Sequence, residues 1–215
     1  MDILNEELSR YAELHTKPES NVLSALNRQT WADVLMPRML SGHLQGQVLR
    51  MLSRMIQPNA ILEIGTYTGY SAICLADGLK PGGVLHTIDI NDELRPMVEK
   101  YVAEAGLEND IMLHTGHAID IIPKIDEKFQ LVFIDADKIN YCKYYDLVFK
   151  KVPIGGYIIA DNVLWSGKVI EPKDKMDADT RALSAFNDKV QADARVLNVL
   201  FPIRDGLMVM EKIAD

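Results

Sequence analysis

Apolar positions along this chain follow two regimes. Up to about residue 57 they recur at spacings of three and four, first as Leu4, Leu8, Tyr11 and Ala12, then as Val22, Leu23, Leu26, Trp31, Val34 and Leu35. That spacing predicts helices from residue 3 onward, over about 21–35 and over about 44–56. Pro18 and Ser20, then Pro37 with Ser41-Gly42, interrupt them, and Pro58 closes the last. From residue 60 short apolar runs alternate with helical stretches. Strands are expected at 60–64, 84–89, 111–114, 131–134 and 157–160, and helices at about 70–79, 92–105, 118–124 and 140–150. Leu131-Val-Phe-Ile134 has no polar break and reads as a strand buried on both faces. Such alternation implies an α/β domain with a parallel sheet and helices on both faces.

A helix at about 178–191 precedes Val196–Phe201 and Gly206–Met210, two strands joined by Pro202–Gly206 that read as a closing antiparallel hairpin. The chain is one domain, 1–215, with a helical extension at 1–58 and a core at 59–215. The extension either lies over the ligand edge of the sheet or makes a subunit contact. The polar stretch 168–180 reads as a solvated loop, with a flap near the site as the alternative. Met36, Met39, Met51 and Met55 lie at near-helical spacing and read as core or subunit contact.

Composition narrows the function by exclusion. A net charge of −8 argues against nucleic acid or an anionic membrane as partner. No apolar run approaches the roughly 20 residues that span a bilayer. The lead Met1–Glu7 is acidic and lacks the order of a signal peptide, and Cys74 and Cys142 read as free thiols, so a cytoplasmic location is expected.

The chemistry gathers at strand ends, where open parallel sheets bind ligands. The 131–134 strand stops in Asp135-Ala-Asp137-Lys138, and the 157–160 strand in Asp161-Asn162. Charges so close to a core are costly unless paired, bound to a metal or used in chemistry. A plain surface salt-bridge cluster is the alternative, and the apolar strand before them weighs against it. The first strand runs into Glu63-Ile-Gly65-Thr-Tyr-Thr-Gly69, whose glycines let backbone approach a ligand. It is neither the dinucleotide fingerprint nor a P-loop, which leaves a nicotinamide-dependent oxidoreductase with little support. Asp89, at the end of the second strand, suits the hydroxyls of a ribose, or else caps a helix.

Together Leu62–Ser71, Phe133–Lys138, Asp161–Gly167 and Pro202–Gly206 resemble the cation-dependent O-methyltransferases, the group of the caffeoyl-coenzyme A and catechol enzymes. The resemblance spans about Met39 to Met210. It implies a Rossmann-like class I methyltransferase fold, a mostly parallel seven-stranded sheet, and a homodimer. It implies S-adenosylmethionine held by Glu63, Gly65, Thr66, Tyr67, Ser71, Asp89, Ile90 and the Gly116-His117-Ala118 turn, with Asp135 and Ser41 nearby. It implies a divalent metal on Asp135, Asp161 and Asn162, approached by Ser41, and Lys138 beside the reacting hydroxyl. Where mammalian catechol enzymes carry a glutamate, this chain has Val199.

Two carboxylates and an amide oxygen, without His or Cys, suit a hard cation such as Mg²⁺, Ca²⁺ or Mn²⁺. A vicinal diphenol, an aromatic diol, bound through both oxygens would lose a proton more easily there. Lys138 would take that proton. Asp137 pairs with Lys138, touches substrate or supports the metal shell, and Trp165 is either a wall for an aromatic acceptor or a packing residue. Other readings are a nucleoside-binding relative without catalysis and a methyltransferase with a non-catechol acceptor. His43, His114, Asn187 and Arg195 read as structural.

Overall fold

A computed structural model describes residues 6–215 of the chain. The acidic lead Met1–Asn5, and with it Leu4 and the expected start of the first helix, lies outside the described residues. The extension holds α1 (Glu6–Leu14), α2 (Asn21–Asp33) and α3 (Gly42–Ile56). Ser20 caps α2, its hydroxyl accepting from the Leu23 N–H at 3.3 Å. Gln57, in the left-handed region at φ 50°, ends α3 just before Pro58.

The core follows the expected alternation: β1 (Ala60–Ile64), α4 (Tyr70–Ala76), β2 (Val84–Asp89), α5 (Arg95–Glu104), β3 (Ile111–Thr115), α6 (Ala118–Ile121), β4 (Leu131–Ile134), α7 (Tyr141–Phe149), β5 (Tyr157–Ala160), α8 (Ala178–Ala192), β6 (Val196–Phe201) and β7 (Leu207–Lys212). Expected bounds shift by a few residues, most at α4, which stops at Ala76, and α5, which starts at Arg95. The sheet order is β3-β2-β1-β4-β5-β7-β6, with β1 to β5 parallel. The closing hairpin is antiparallel, but its second strand is the inner one: β7 pairs with both β5 and β6. Burial explains the insertion. β7 carries the buried Leu207, Met208 and Met210, whereas Leu197 and Val199 of β6 are exposed, as an edge tolerates.

Two apolar layers sandwich the sheet. Leu62, Ile64, Ile88, Val132, Ile134 and Ile158 face α6, α7 and α8. Ile61, Leu85, Leu131, Phe133 and Ile159 face the side of α3, α4 and α5. Strand alternation divides one continuous apolar run between both layers. Each buried Leu or Ile contributes roughly 1.5–3 kcal/mol of transfer free energy.

Strand order reverses at the β1/β4 boundary, where a crevice opens beyond the carboxyl ends. Gly65 sits there at φ 105°, and a Cβ on it would run into the Asp135 carbonyl oxygen. The extension lies over this edge, as the first of the two alternatives had it. The Tyr67 hydroxyl donates to the Met36 carbonyl at 2.9 Å, Thr30 Oγ1 to Thr68 Oγ1 at 3.2 Å, and the Tyr70 hydroxyl to Glu19 at 2.6 Å. The four methionines are not core: Met36 and Met39, in the turn before α3, are exposed, and so are Met51 and Met55, because α3 turns Leu49 and Ser53 inward instead.

The polar stretch 168–180 runs along the surface but is pinned. Lys168 pairs with Asp177 at 3.0 Å, Met176 is buried, and Asp177 caps α8. Cys74 and Cys142 are free thiols. His43 bonds the Lys17 carbonyl and His114 stacks on His86, consistent with structural roles. Asn187 donates to the Val163 carbonyl at 2.8 Å, tying α8 to the loop after β5, and Arg195 stacks on Phe149.

Candidate active site

The tips of β3, β2, β1, β4 and β5 stand side by side, so sequence-distant residues form one row. At the β1 end, Tyr67 adopts φ 50° and its N–H donates to Asp89 Oδ2 at 2.7 Å. Asp89 Oδ1 accepts from the Asn91 N–H at 2.8 Å. Asp89 therefore ties two ligand-edge loops together and does not cap α5, whose cap position is Leu94. The Gly116 N–H donates to the Asp89 carbonyl at 2.8 Å, which brings the Gly116-His117-Ala118 turn alongside, with His117 and Ile90 exposed and Ala118 buried. A shallow cleft opens beside Asp89, lined by Thr66, Tyr67, Arg95 and Leu113 among others.

Glu63 and Ser71 lie below this surface. Glu63 is fully buried; one carboxyl oxygen accepts from Thr87 at 2.5 Å, and Thr87 in turn meets Thr66 at 2.5 Å. The other oxygen, Oε1, is buried with no hydrogen-bond partner among the described residues. Burial pushes the Glu63 carboxyl up to about 8, with the nearby Asp135 and Asp89 charges adding to it. The folded-state value lies above the unfolded one, so this group's contribution to stability is full below about pH 4.5 and is lost as pH rises through about 8. The ligand-free protein should therefore lose stability relative to a Glu63→Gln variant by up to about 1.4 kcal/mol per pH unit across that window. Thermal melts of both proteins across the window check this. Parallel curves would show that Glu63 does not hold its proton.

At β4 and β5 a carboxylate and an amide oxygen converge on an ammonium. Lys138, on the turn before α7, is buried to 8% exposure. Its Nζ donates to Asp135 Oδ1 at 3.1 Å, Asn162 Oδ1 at 2.6 Å and the Tyr141 hydroxyl at 2.8 Å. Those contacts engage all three ammonium donors. Asp161 is 3% exposed, and burial, with the Asp135 charge next, raises its carboxyl to about 7. Its oxygens accept from the Asn162 N–H at 2.7 Å and from Gln45 Nε2 at 2.5 Å.

These residues fit a hard cation. Among the described residues no three His, Cys, Asp or Glu side chains form a metal cluster. Here the third oxygen comes from an amide, and the Lys138 ammonium stands where Asp135 and Asn162 direct their oxygens. Ser41 is buried at the N-cap of α3, and its carbonyl accepts from Arg204.

Two expected site residues differ in placement. Asp137 is exposed and turned away, accepting from Asn140 at 2.5 Å and from the Tyr144 hydroxyl, so it joins neither Lys138 nor the Asp161 set. Trp165 packs against the core, the second of its two alternatives, and its ring centre lies 5.7 Å from Lys138 Nζ. Trp165, Ser166 and Gly167 are consecutive left-handed residues. Asp205 holds this stretch, its carbonyl accepting from Leu164 at 2.9 Å and its carboxylate from Ser166.

Sequence patterns did not single out Gln45, Arg204 or Tyr141. Tyr141, fully buried, is reachable from Lys138 by the three-residue spacing on one helical face. Gln45 carries no local signal, and Arg204 lies within the Pro202–Gly206 turn motif without being marked out by it.

Residues 12–213 match the O-methyltransferase family. A catechol O-methyltransferase of Niastella koreensis is 34% identical, over 81% of this chain and 80% of its own length. Caffeoyl-CoA O-methyltransferase 1 of Arabidopsis thaliana is 33% identical, over 79% of this chain and 70% of its own. Among solved structures, an O-methyltransferase of Streptomyces achromogenes involved in tomaymycin synthesis, in complex with S-adenosylmethionine, has a TM-score of 0.87 at 30% identity. It covers 98% of this chain and 97% of that one.

Proposed function

From the premise that the chain belongs to the O-methyltransferase family and uses S-adenosylmethionine, we propose that its acceptor is a vicinal diphenol and that a hard divalent cation sits at Asp135, Asp161 and Asn162. The observation that carries this reading is a carboxylate and an amide oxygen meeting at a buried lysine, with the buried Asp161 carboxylate on the neighbouring strand tip. Catechol and caffeoyl-CoA enzymes among the relatives support the acceptor class.

When bound, S-adenosylmethionine supplies an electrophilic methyl group and the cation supplies charge stabilisation for an ionised hydroxyl. The chain's own residues do the rest. Asp89 offers carboxylate oxygens to the nucleoside's hydroxyls, and the Tyr67 loop shapes the surface it meets. Asp135, Asp161 and Asn162 present oxygens to the cation, and Gln45 and the Asn162 N–H orient Asp161. Lys138 first releases one ammonium proton to solvent, giving up one of its present contacts, and the neutral amine then takes the proton from the acceptor hydroxyl. Trp165 walls the acceptor side, where its ring faces Lys138. Most of the rate gain comes from holding the two reactants in line.

The test is methyl transfer to a panel of catechols and caffeoyl esters with Mg²⁺ and then with EDTA. Turnover should fall by about 10²-fold or more in EDTA, as expected where a cation stabilises the charge that develops in the reaction. A second reading comes from Lys138 itself, whose ammonium already contacts Asp135 and Asn162. Undiminished turnover in EDTA would favour a metal-free reaction with Lys138 as the cationic group.

A further inference from the structure

The amide of Gln45 joins the extension to the row of strand tips in a way that neither the family resemblance nor the acceptor chemistry accounts for. Gln45 lies in the first turn of α3 and is 1% exposed. Its Nε2 donates to Asp161 Oδ2 at 2.5 Å, and its Oε1 accepts from Arg204 Nη1 at 3.3 Å. Arg204, at φ 49° in the turn between β6 and β7, also donates to the carbonyls of Leu40 and Ser41. Three chain segments far apart in sequence thus meet at one buried amide. We propose that Gln45 is the positioning residue that fixes the Asp161 carboxylate for a divalent cation, with Arg204 fixing Gln45. This rests on the cation reading of Asp135, Asp161 and Asn162 given above.

The physical case has three parts. A carboxylate free to rotate about χ2 presents its lone pairs in many directions, and cation affinity falls with each direction it samples. Asp161 Oδ1 accepts from the adjacent Asn162 N–H at 2.7 Å, and the Gln45 donor on Oδ2 arrests the remaining rotation. Each carboxylate oxygen has a second lone pair, so both donors leave room for a cation. An amide is also the side chain that can do this without adding charge. It donates to the carboxylate at one end and accepts from a guanidinium at the other, so no buried polar atom of Gln45 is left unsatisfied. A basic residue would compete with the cation, and another carboxylate would repel Asp161. Partners that orient ligating carboxylates typically matter by 10–100-fold in metal affinity.

Gln45→Met keeps the volume and helical preference while removing both hydrogen bonds. The measurement is Mn²⁺ binding to the full chain without cofactor or acceptor, read from the free Mn²⁺ signal in electron paramagnetic resonance. The variant's Kd should rise about 10–100-fold over wild type. Wild type that binds Mn²⁺ and a folded variant that binds it equally well would overturn the role of Gln45 and leave the cation reading standing. Wild type that binds no Mn²⁺ would overturn the cation reading, and the role of Gln45 with it. A variant that fails to fold leaves the wild-type measurement: the Gln45 side-chain amide resonances should shift on saturation with Mg²⁺. Unmoved resonances in a protein that binds the cation would overturn the proposal.

Discussion

Asp161→Ala is expected to abolish methyl transfer, lowering kcat/KM by about 10³-fold or more, while the fold survives. Losing a single preorganised charge-stabilising contact costs about 10²–10³ in rate, and in the proposed cation site Asp161 would both offer an oxygen to the cation and be the carboxylate that Gln45 holds. The fold survives because the strand tip is held by backbone: the Asp161 N–H donates to the Ile134 carbonyl at 2.9 Å, and β5 pairs with β4 and β7 on its two sides. Stability should be unchanged or improved. Burial raises this carboxyl to about 7 from an ordinary 3.8, so above the lower value the ligand-free fold carries a cost that Ala removes. Radiolabelled methyl transfer and thermal melts of ligand-free protein check the two halves. Retained turnover would remove Asp161 from the mechanism, and a collapsed melt would make its role structural.

Lys138→Met is expected to lower kcat by about 10²–10⁴-fold, the range for removing a positioned proton-transfer group. Methionine keeps the unbranched stem in the pocket beneath Trp165 and withdraws only the ammonium. Its loss also releases the oxygens of Asp135 and Asn162 from their present partner. Cation affinity should therefore hold or tighten as kcat falls. This split separates proton handling from structural support, which would weaken both together. Single-turnover rates with saturating Mg²⁺, beside a direct cation titration, check it. A kcat within a few-fold of wild type would take the proton away from Lys138.

Glu63 marks a limit of reading motifs as surfaces. The family resemblance implies a cofactor contact for it; in the ligand-free fold it lies fully buried with Thr87 and Thr66 beneath the loop. Period-two alternation says which face of a strand a residue takes, but not whether a loop will cover it. Asp137 shows the same limit in a turn. Two residues from Asp135, it points outward because Asn140 and Tyr144 of its own turn satisfy it. By contrast, the pairing of Asp89 with the Tyr67 loop follows from β1 and β2 being neighbours, which their sequence pattern already favoured.

The sequence by itself determined the α/β class, the strands and their carboxylate-tipped ends, and hence the edge on which chemistry gathers. Those features are local: burial on two faces writes itself as an unbroken apolar run, and a charge after such a run stands out wherever the strand goes. Only the tertiary structure decided that β7 inserts between β5 and β6, and that the extension lies on the ligand edge. It alone placed Lys138 between Asp135 and Asn162. It alone brought Gln45 to Asp161, 116 positions away, and Arg204 to Gln45, 159 positions away. Such contacts depend on how layers pack and which buried polar atoms find partners, and no propensity or spacing along the chain encodes that.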